Sequence, residues 1–217
     1  MHTNIYTYLS LISISLFITV ACSDSTTGNE EEPPGSEIEA NQVEDLHAPA
    51  DRTDPNPSYV LFSLRTGDVV ASDDSASANW DIGFSGSSMI VNSGVSGPGA
   101  AGAILLDVPF DQIELAPSSG YGADTNEEMA IQGLDGWYIY TGTEGSPAHA
   151  ILAKEDVTIL IKTADENHYA KVQIQSYYQG NPETDTAEFA NLATRPASQY
   201  YTFRYAIQMT EGLRELN

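Results

Sequence analysis

The chain has 217 residues, of which 41% are hydrophobic, so it is long enough for one ordinary domain and is not of the disordered class as a whole. Acidic residues outnumber basic residues by 31 to 8, which gives a formal net charge of −23. A surface this acidic repels phosphate backbones and anionic lipid headgroups. We therefore expect no nucleic-acid partner, and any membrane attachment requires a separate cause.

The N-terminal segment has the pattern of an export signal. Residues 1–21 contain no Lys, Arg, Asp or Glu, and the run from Leu9 to Val20 is mainly apolar. This run is shorter than the roughly 20 residues that cross a bilayer, but it suits the apolar core of a signal peptide. We predict a signal peptide over residues 1–21.

The signal peptide leads to Thr19-Val20-Ala21-Cys22, and Cys22 is the only cysteine in the chain. This arrangement resembles a bacterial lipobox, in which the cysteine is lipidated and becomes the mature N-terminus. It departs from the usual pattern at Thr19, where leucine is common. We predict a lipid anchor on Cys22; the alternative is an ordinary secretory peptide with an incidental cysteine. A single cysteine forms no intramolecular disulfide, so the domain depends on its apolar core.

The next segment, residues 22–57, is rich in Glu, Asp, Pro, Ser and Asn and has almost no large apolar residues. Such a composition buries too little apolar surface to offset the entropy that ordering removes. The sequence therefore predicts a disordered, self-repelling acidic tether over this whole range, with His47 solvated within it.

Regular structure is expected from Ser58 onwards. A hairpin is predicted by the runs SYVLFSL and VVA, which flank the turn Arg65–Asp68. Two further strands are predicted by WDIGF and SMIVN, and later strands by VTILIK and AKVQIQSYY. The residues Thr163–Asn167 form the predicted turn between these last two runs.

The last predicted strand, YYTFRYAIQM, alternates most clearly. One face carries Tyr201, Phe203, Tyr205, Ile207 and Met209, and the other carries Thr202, Arg204 and Gln208. Period two with aromatic and β-branched enrichment is typical of strands with one buried face. Only Thr186–Ala193 looks helical. We predict an all-β, β-dominated domain of antiparallel sheets and hairpins over residues 58–217, with at most one or two short helices.

Catalytic motifs are not apparent in the sequence. Gly97–Gly102 matches G-x-G-x-x-G, but a β-like run follows where a nucleotide-binding loop requires a helix, so a glycine-rich turn is favoured. The sequence contains no G-x-S-x-G, H-E-x-x-H or C-x-x-C motif. The acidic pairs Asp73-Asp74 and Glu127-Glu128 are expected at the surface of so acidic a chain. We therefore expect a binding protein rather than an enzyme.

Two soft or imidazole donors flank the predicted strand that begins at Trp137. Met129 lies in the loop before this strand and His149 lies in the loop after it. Loops on either side of one strand can converge at one end of a sheet, which makes this pair the candidate metal-binding site. For each residue the alternative interpretation is a satisfied or solvated loop side chain.

The order of these segments resembles the HmuY-like family of haem-binding lipoproteins, nearly throughout from Ser58 to Gln208. The most specific matches are Trp80-Asp81 with the glycine loop after it, and Ala170-Lys171-Val172-Gln173 before an aromatic strand end. The further matching stretches are Tyr59–Leu64, Gly67–Val70, Val91–Gly94, Gly136–Tyr138, Thr163–Asp165 and Tyr201–Tyr205.

This resemblance implies a β-rich, outer-membrane lipoprotein that faces the cell exterior, binds haem and passes it to an outer-membrane transporter. In the family one iron ligand follows the strand that begins Gly-Trp, where this chain has Gly142, which cannot bind iron. The other lies in an insertion before that strand, where this chain offers Met129. The expected axial ligands are therefore Met129, His149 or both. The alternative is a scaffold of the same kind that binds a protein or a non-haem ligand.

The lipid anchor yields a direct test. We expect Cys22→Ala to release the protein in soluble form, because the acyl attachment point is lost, with unchanged β-rich circular dichroism. Membrane fractionation measures the release, and a mutant that partitions with membranes like the wild type would contradict the anchor.

Overall fold

The structure is a computed structural model that describes residues 35–50, 53 and 57–217. The predicted signal peptide, Cys22 and the first part of the predicted tether lie outside the described residues. The strands, numbered in chain order, are β1 Ile38–His47, β2 Val60–Ser63, β3 Asp68–Val70, β4 Ile82–Ser85, β5 Ser88–Val91, β6 Gly102–Leu106, β7 Tyr138–Tyr140, β8 Ile151–Ala153, β9 Thr158–Lys162, β10 Tyr169–Tyr178 and β11 Ser198–Gln208.

The strands form two larger antiparallel sheets and one separate hairpin. The five-stranded sheet has the order β1-β11-β10-β9-β6, the four-stranded sheet has the order β3-β2-β4-β5, and β7 pairs with β8. The α-helix Ala187–Ala190 (α1) is a single turn, with Thr186 Oγ1 accepting a hydrogen bond from Phe189 N at its start. The predicted fold class is confirmed. Within the described residues no helix is both long and apolar enough to span a membrane.

The strand β1 corrects the prediction of a disordered tether that reaches residue 57. Its backbone pairs antiparallel with β11, from Ile38 opposite Gln208 to His47 opposite Tyr200. Val43 and Leu46 pack against the core, while the strand's other side chains are mostly exposed. Main-chain hydrogen bonds to an existing sheet edge hold this polar strand, and composition gives no sign of that partner.

The core lies between the two larger sheets, and β11 supplies its centre. Tyr201, Phe203, Tyr205 and Ile207 are all buried in it, which confirms the predicted face of the last strand. Phe203 stacks on Phe84 of the smaller sheet with ring centroids 5.5 Å apart. Burial raises the pKa of Tyr205 to about 12, and nearby acidic charges add to this effect.

The opposite face of the larger sheet is less exposed to solvent than the alternation in β11 predicts. The segment from Val108 to Ala116 covers part of this face. The side chain of Lys171 is buried there, and its Nζ donates to the carbonyl oxygens of Phe110 and Ile113 at 3.1 and 2.7 Å. Burial lowers the pKa of Lys171. Arg204 lies over the Phe110 ring at 4.3 Å and pairs with Asp111.

Buried polar side chains join the two sheets. Asp81, at the start of β4, accepts hydrogen bonds from Leu64 N and from Ala164 N, both at 2.9 Å. Ala164 belongs to the turn between β9 and β10, so this carboxylate links the smaller sheet to the larger one. Arg65 contacts Asp81 at 3.2 Å and also reaches Asp165 at 3.2 Å in the same turn.

The glycine-rich segment Gly97–Gly102 forms a loop that leads into β6 rather than into a helix. The buried Asn92 accepts a hydrogen bond from Gly99 N at 2.9 Å and donates to Trp80 O at 2.7 Å. A Cβ atom at Gly97 would lie 2.1 Å from Asn92 Oδ1, so glycine is required for this close approach. The favoured interpretation as a glycine-rich turn agrees with this geometry.

Truncation of the central β11 aromatic tests the core. We expect Phe203→Ala to lower the free energy of unfolding by about 3–5 kcal/mol, because it leaves a cavity between the sheets. Chemical denaturation measures the change. Val69→Ala is the matched control, since Val69 is 55% exposed and its truncation should change stability by at most about 0.5 kcal/mol. A loss under about 1 kcal/mol for Phe203→Ala would mean that this face is not central.

The turn carboxylate of Asp165 gives stability a defined pH dependence. Burial alone would raise the pKa of Asp165, but hydrogen bonds from Thr163 and Asn167 and the nearby Arg65 and His168 hold it below its usual value. A depressed folded-state pKa contributes stability above the unfolded pKa of about 3.9, and this contribution is lost as the pH falls through the lower, folded-state pKa.

We therefore expect Asp165→Asn to be less stable than the wild type near neutral pH, with the difference shrinking below about pH 4. Urea unfolding at a series of pH values measures the difference. Asp73→Asn, at an exposed position, is the control and should track the wild type. A stability difference for Asp165→Asn that stays constant with pH would contradict the assignment.

Candidate functional site

The hairpin β7–β8 packs against the core, and the loop that joins its two strands carries one of the two predicted donors. At its base, Trp137 is buried and packs against Tyr177 and Tyr201 of the larger sheet, with centroids 6.0 and 5.5 Å apart. Lys154 N donates to Trp137 O at 3.0 Å, which closes the base of the hairpin. The aromatic anchor fixes the hairpin to the domain while its far end remains at the surface.

His149 lies at the tip of this hairpin and is exposed. Its backbone N donates to Gly142 O at 2.7 Å, and its φ of 54° lies in the left-handed region, which a non-glycine residue rarely adopts. Its ring nitrogen Nδ1 lies 2.8 Å from the hydroxyl oxygen of Tyr140 on β7. Backbone and side chain are therefore both held, and Nε2 is the ring nitrogen that this contact does not use.

Arg195 supports the tip from the segment after α1. Its guanidinium donates to the carbonyl oxygens of Ala148 and His149 at 2.8 and 3.1 Å, and to Phe189 O at 2.8 Å. The same guanidinium lies 4.8 Å from the centre of the Phe189 ring. A non-glycine residue in a sparsely populated conformation persists where its surroundings over-determine it, and such residues cluster at functional sites.

Met129 lies in the loop that precedes β7 and is partly buried. It packs against the cluster formed by Leu61, Trp80 and Ile90, and its Sδ lies 4.0 Å from Ser96 Oγ. The loop is fixed by the buried Asp124, which accepts hydrogen bonds from Val91 N and from Ala130 N, the residue next to Met129.

Met129 lines a cavity of about 480 Å³ that also contacts Asp135 and Gly136, just before β7. The walls combine the apolar side chains of Leu105 and Val157 with the acidic side chains of Asp107, Glu128 and Asp135. A thioether at the edge of such a cavity can reach a metal or an apolar ligand, but the acidic wall repels anionic groups. His149 is not among the lining residues of this cavity.

Met129 lines two cavities, and His149 lines neither of them. The cavities that Met129 lines also contact Gly136 and Tyr138 at the base of the hairpin, whereas His149 pairs with Gly142 at its tip. Trp137 precedes β7 and Gly142 follows it, five positions later in the chain, a span of at most about 17 Å at ~3.4 Å per residue. The two donors are therefore considered separately.

The other histidines and methionines of the described residues make contacts elsewhere. His47 stacks on Tyr200 with centroids 4.2 Å apart, and Nδ1 of His168 contacts Asp165 at 3.2 Å. Met89 is buried in the core, and Met209 is partly buried against it. In the part of the chain that the structure describes, no group of three or more His, Cys, Asp and Glu side chains is arranged to hold a metal ion.

Sequence reasoning missed Tyr140 and Arg195. Tyr140 precedes His149 by nine residues, and the predicted loop between them hid the fact that the two lie on facing sides of one hairpin. Arg195 is 46 residues beyond His149 and comes to it only through the tertiary fold. A hairpin predicted with Gly142 opposite His149 would have brought Tyr140 close to His149, and this was the local signal available for the contact.

Comparison with protein-family models gives a match over much of the chain. The family model described as "HmuY protein" matches residues 56–191, a range that includes Met129, Tyr140 and His149. A search of curated proteins finds no match.

Proposed function

Since the chain belongs to the HmuY protein family, we propose that it binds haem outside the cell for haem and iron acquisition. In this proposal the protein is held at the outer membrane by a lipid on Cys22 and faces the cell exterior. It passes haem to an outer-membrane transporter and catalyses no reaction itself. Family membership and the geometry around His149 support the proposal.

The observation that carries the proposal is the restrained imidazole of His149. An axial ligand needs a neutral imidazole nitrogen that is free and correctly aimed, with the other ring nitrogen hydrogen-bonded. His149 offers Nε2 for this role, because Tyr140 contacts Nδ1 at 2.8 Å and the residue is exposed. Of the two predicted donors, His149 therefore fits a haem iron best.

Met129 is the alternative axial donor. Its thioether lines the cavity of about 480 Å³, whose apolar walls suit part of a porphyrin. The carboxylates of Asp107, Glu128 and Asp135 in the same cavity oppose the approach of the haem propionates. This electrostatic conflict places Met129 second to His149.

When haem is bound, it supplies the iron and the visible absorption. The chain binds and orients the haem. Arg195 fixes the backbone of the tip through the carbonyl oxygens of Ala148 and His149. Tyr140, which is 50% exposed beside the imidazole, offers an aromatic surface for contact with an apolar ligand. The chemistry assigned to these residues is ligation and orientation.

The second candidate function is binding of a protein or a non-haem ligand on the same scaffold. It is favoured by the cavities that Met129 lines, because His149 lines neither of them. A groove of about 520 Å³ offers such a ligand a polar lining that includes Gln173, Gln175 and Arg204. Haem titration distinguishes the two functions.

We expect haem added to the purified protein to shift the Soret band to that of a ligated haem, because an axial donor changes the iron's spin state. His149→Ala should lose this spectrum or change its spin state, whereas His47→Ala, which removes another exposed histidine, should keep it. Absorption spectroscopy with equilibrium titration measures both.

The outcome for Met129→Ala decides between the donors. If this variant changes the spectrum while His149→Ala does not, Met129 is the ligand. If both variants bind with the wild-type spectrum, neither is a ligand. A wild-type protein that gives no Soret change beyond that of free haem would rule out haem binding and favour the second candidate function.

A further inference from the structure

Tyr140 and His149 are brought together by the register of one hairpin. Tyr140 pairs with Ile151 across β7 and β8, Thr141 N donates to Ala150 O at 2.9 Å, and His149 N donates to Gly142 O. This pairing continues the ladder into the loop and sets the phenol beside the imidazole. The 2.8 Å contact is therefore a consequence of backbone geometry rather than of two mobile side chains.

This hydrogen bond contributes little to stability. The side chain of Tyr140 is 50% exposed, and His149 is exposed as well, so water competes for both polar groups. Both backbones are nevertheless fixed, His149 in a left-handed conformation and held by Arg195. The hydrogen bond between Tyr140 and His149 therefore stabilises the fold little, but its fixed position suits it to orient the imidazole ring.

We propose that Tyr140 is a positioning residue for His149, and that its hydroxyl reverses the direction of this hydrogen bond when Nε2 binds a metal. The proposal rests on the proposed haem function for its ligand. It goes beyond that function by assigning a role to a residue that does not touch the iron. At the hairpin tip, His149 is thus the ligand and Tyr140 orients it.

The reversal follows from the chemistry of the two groups. A phenol hydroxyl both donates and accepts, and a neutral imidazole has one nitrogen of each kind. The 2.8 Å contact between the hydroxyl oxygen and Nδ1 allows either direction of donation. In the proposed free state the hydroxyl donates to Nδ1, and the ring proton is on Nε2. When Nε2 binds a metal, its proton is given to solvent and Nδ1 takes one up, so the ring stays neutral. Nδ1–H then donates to the oxygen of Tyr140.

The accepting hydroxyl has a second effect. A hydrogen bond from Nδ1–H makes the imidazole a more basic ligand, and groups in this position typically change metal affinity by 10–100-fold. A more basic ligand favours ferric over ferrous iron. Removal of the hydroxyl should therefore weaken haem binding and raise the reduction potential, whereas loss of a merely structural contact would leave the potential unchanged.

The first test uses the free protein and Tyr140→Phe, which keeps the ring and removes only the hydroxyl. Nitrogen-15 NMR of the ring nitrogens should show one dominant tautomer of His149 in the wild type. In Tyr140→Phe the share of the other tautomer should rise towards that of free histidine. Identical His149 nitrogen shifts in the two proteins would overturn the proposal.

The chain offers a matched control in Tyr200, which contacts His47 by ring stacking with planes 10° apart. Tyr200→Phe preserves a stack, so it should leave the tautomers of His47 and His149 unchanged. A change in the His149 tautomers in Tyr200→Phe would show that the effect is not specific to Tyr140, and it would overturn the assignment.

The second test uses the haem-loaded protein. Tyr140→Phe should raise the haem Kd about 10–100-fold and raise the ferric/ferrous potential relative to the wild type and Tyr200→Phe. An unchanged Kd and potential would overturn the positioning role. If the wild type binds no haem, the proposed function fails by that result alone, and the nitrogen shifts in the free protein still decide whether Tyr140 orients His149.

Discussion

A buried carboxylate between the two larger sheets constrains the whole domain. An unpaired charge in that position would cost several kcal/mol, so the backbone must deliver hydrogen bonds to Asp81 from both sides. Leu64 N comes from the end of β2 and Ala164 N from the β9–β10 turn, and Arg65 adds a positive charge. Burial raises the pKa of Asp81, and the Arg65 charge opposes this. The carboxylate thus fixes one end of the sandwich, where the two sheets must meet.

The rest of the molecule is arranged around this fixed end. The core aromatics Phe84, Phe203 and Tyr201 fill the space between the sheets, and Trp137 extends the same packing to the β7–β8 hairpin. The hairpin is therefore rigid at its base and exposed at its tip. That combination suits a ligand site, because a held residue such as His149 is presented to solvent at little cost in ordering entropy.

Local sequence patterns predicted β10 and β11 well, because period-two alternation is visible along both strands. They also predicted β2 and β9, which are short runs rich in apolar and β-branched residues. The candidate site was predicted less completely. His149 was identified as a donor by residue type, but Tyr140 and Arg195 were not, since neither has a distinctive local pattern. The supposed convergence of Met129 with His149 assumed that two loops flanking one strand meet at the same end of it. Met129 instead lines cavities beside Gly136 and Tyr138, whereas His149 pairs with Gly142 in the loop that joins β7 to β8.

The sequence by itself determined the antiparallel β class, the inward face of β11 and the HmuY resemblance, because these depend on residue type and spacing along the chain. Only the tertiary structure decided that β1 is an ordered edge strand. Its sequence is polar, and its hydrogen bonds go to β11, which lies some 160 residues later in the chain. Likewise only the fold placed Arg195 on the carbonyl of His149. Contacts between residues distant in sequence depend on backbone geometry, and no local pattern encodes them.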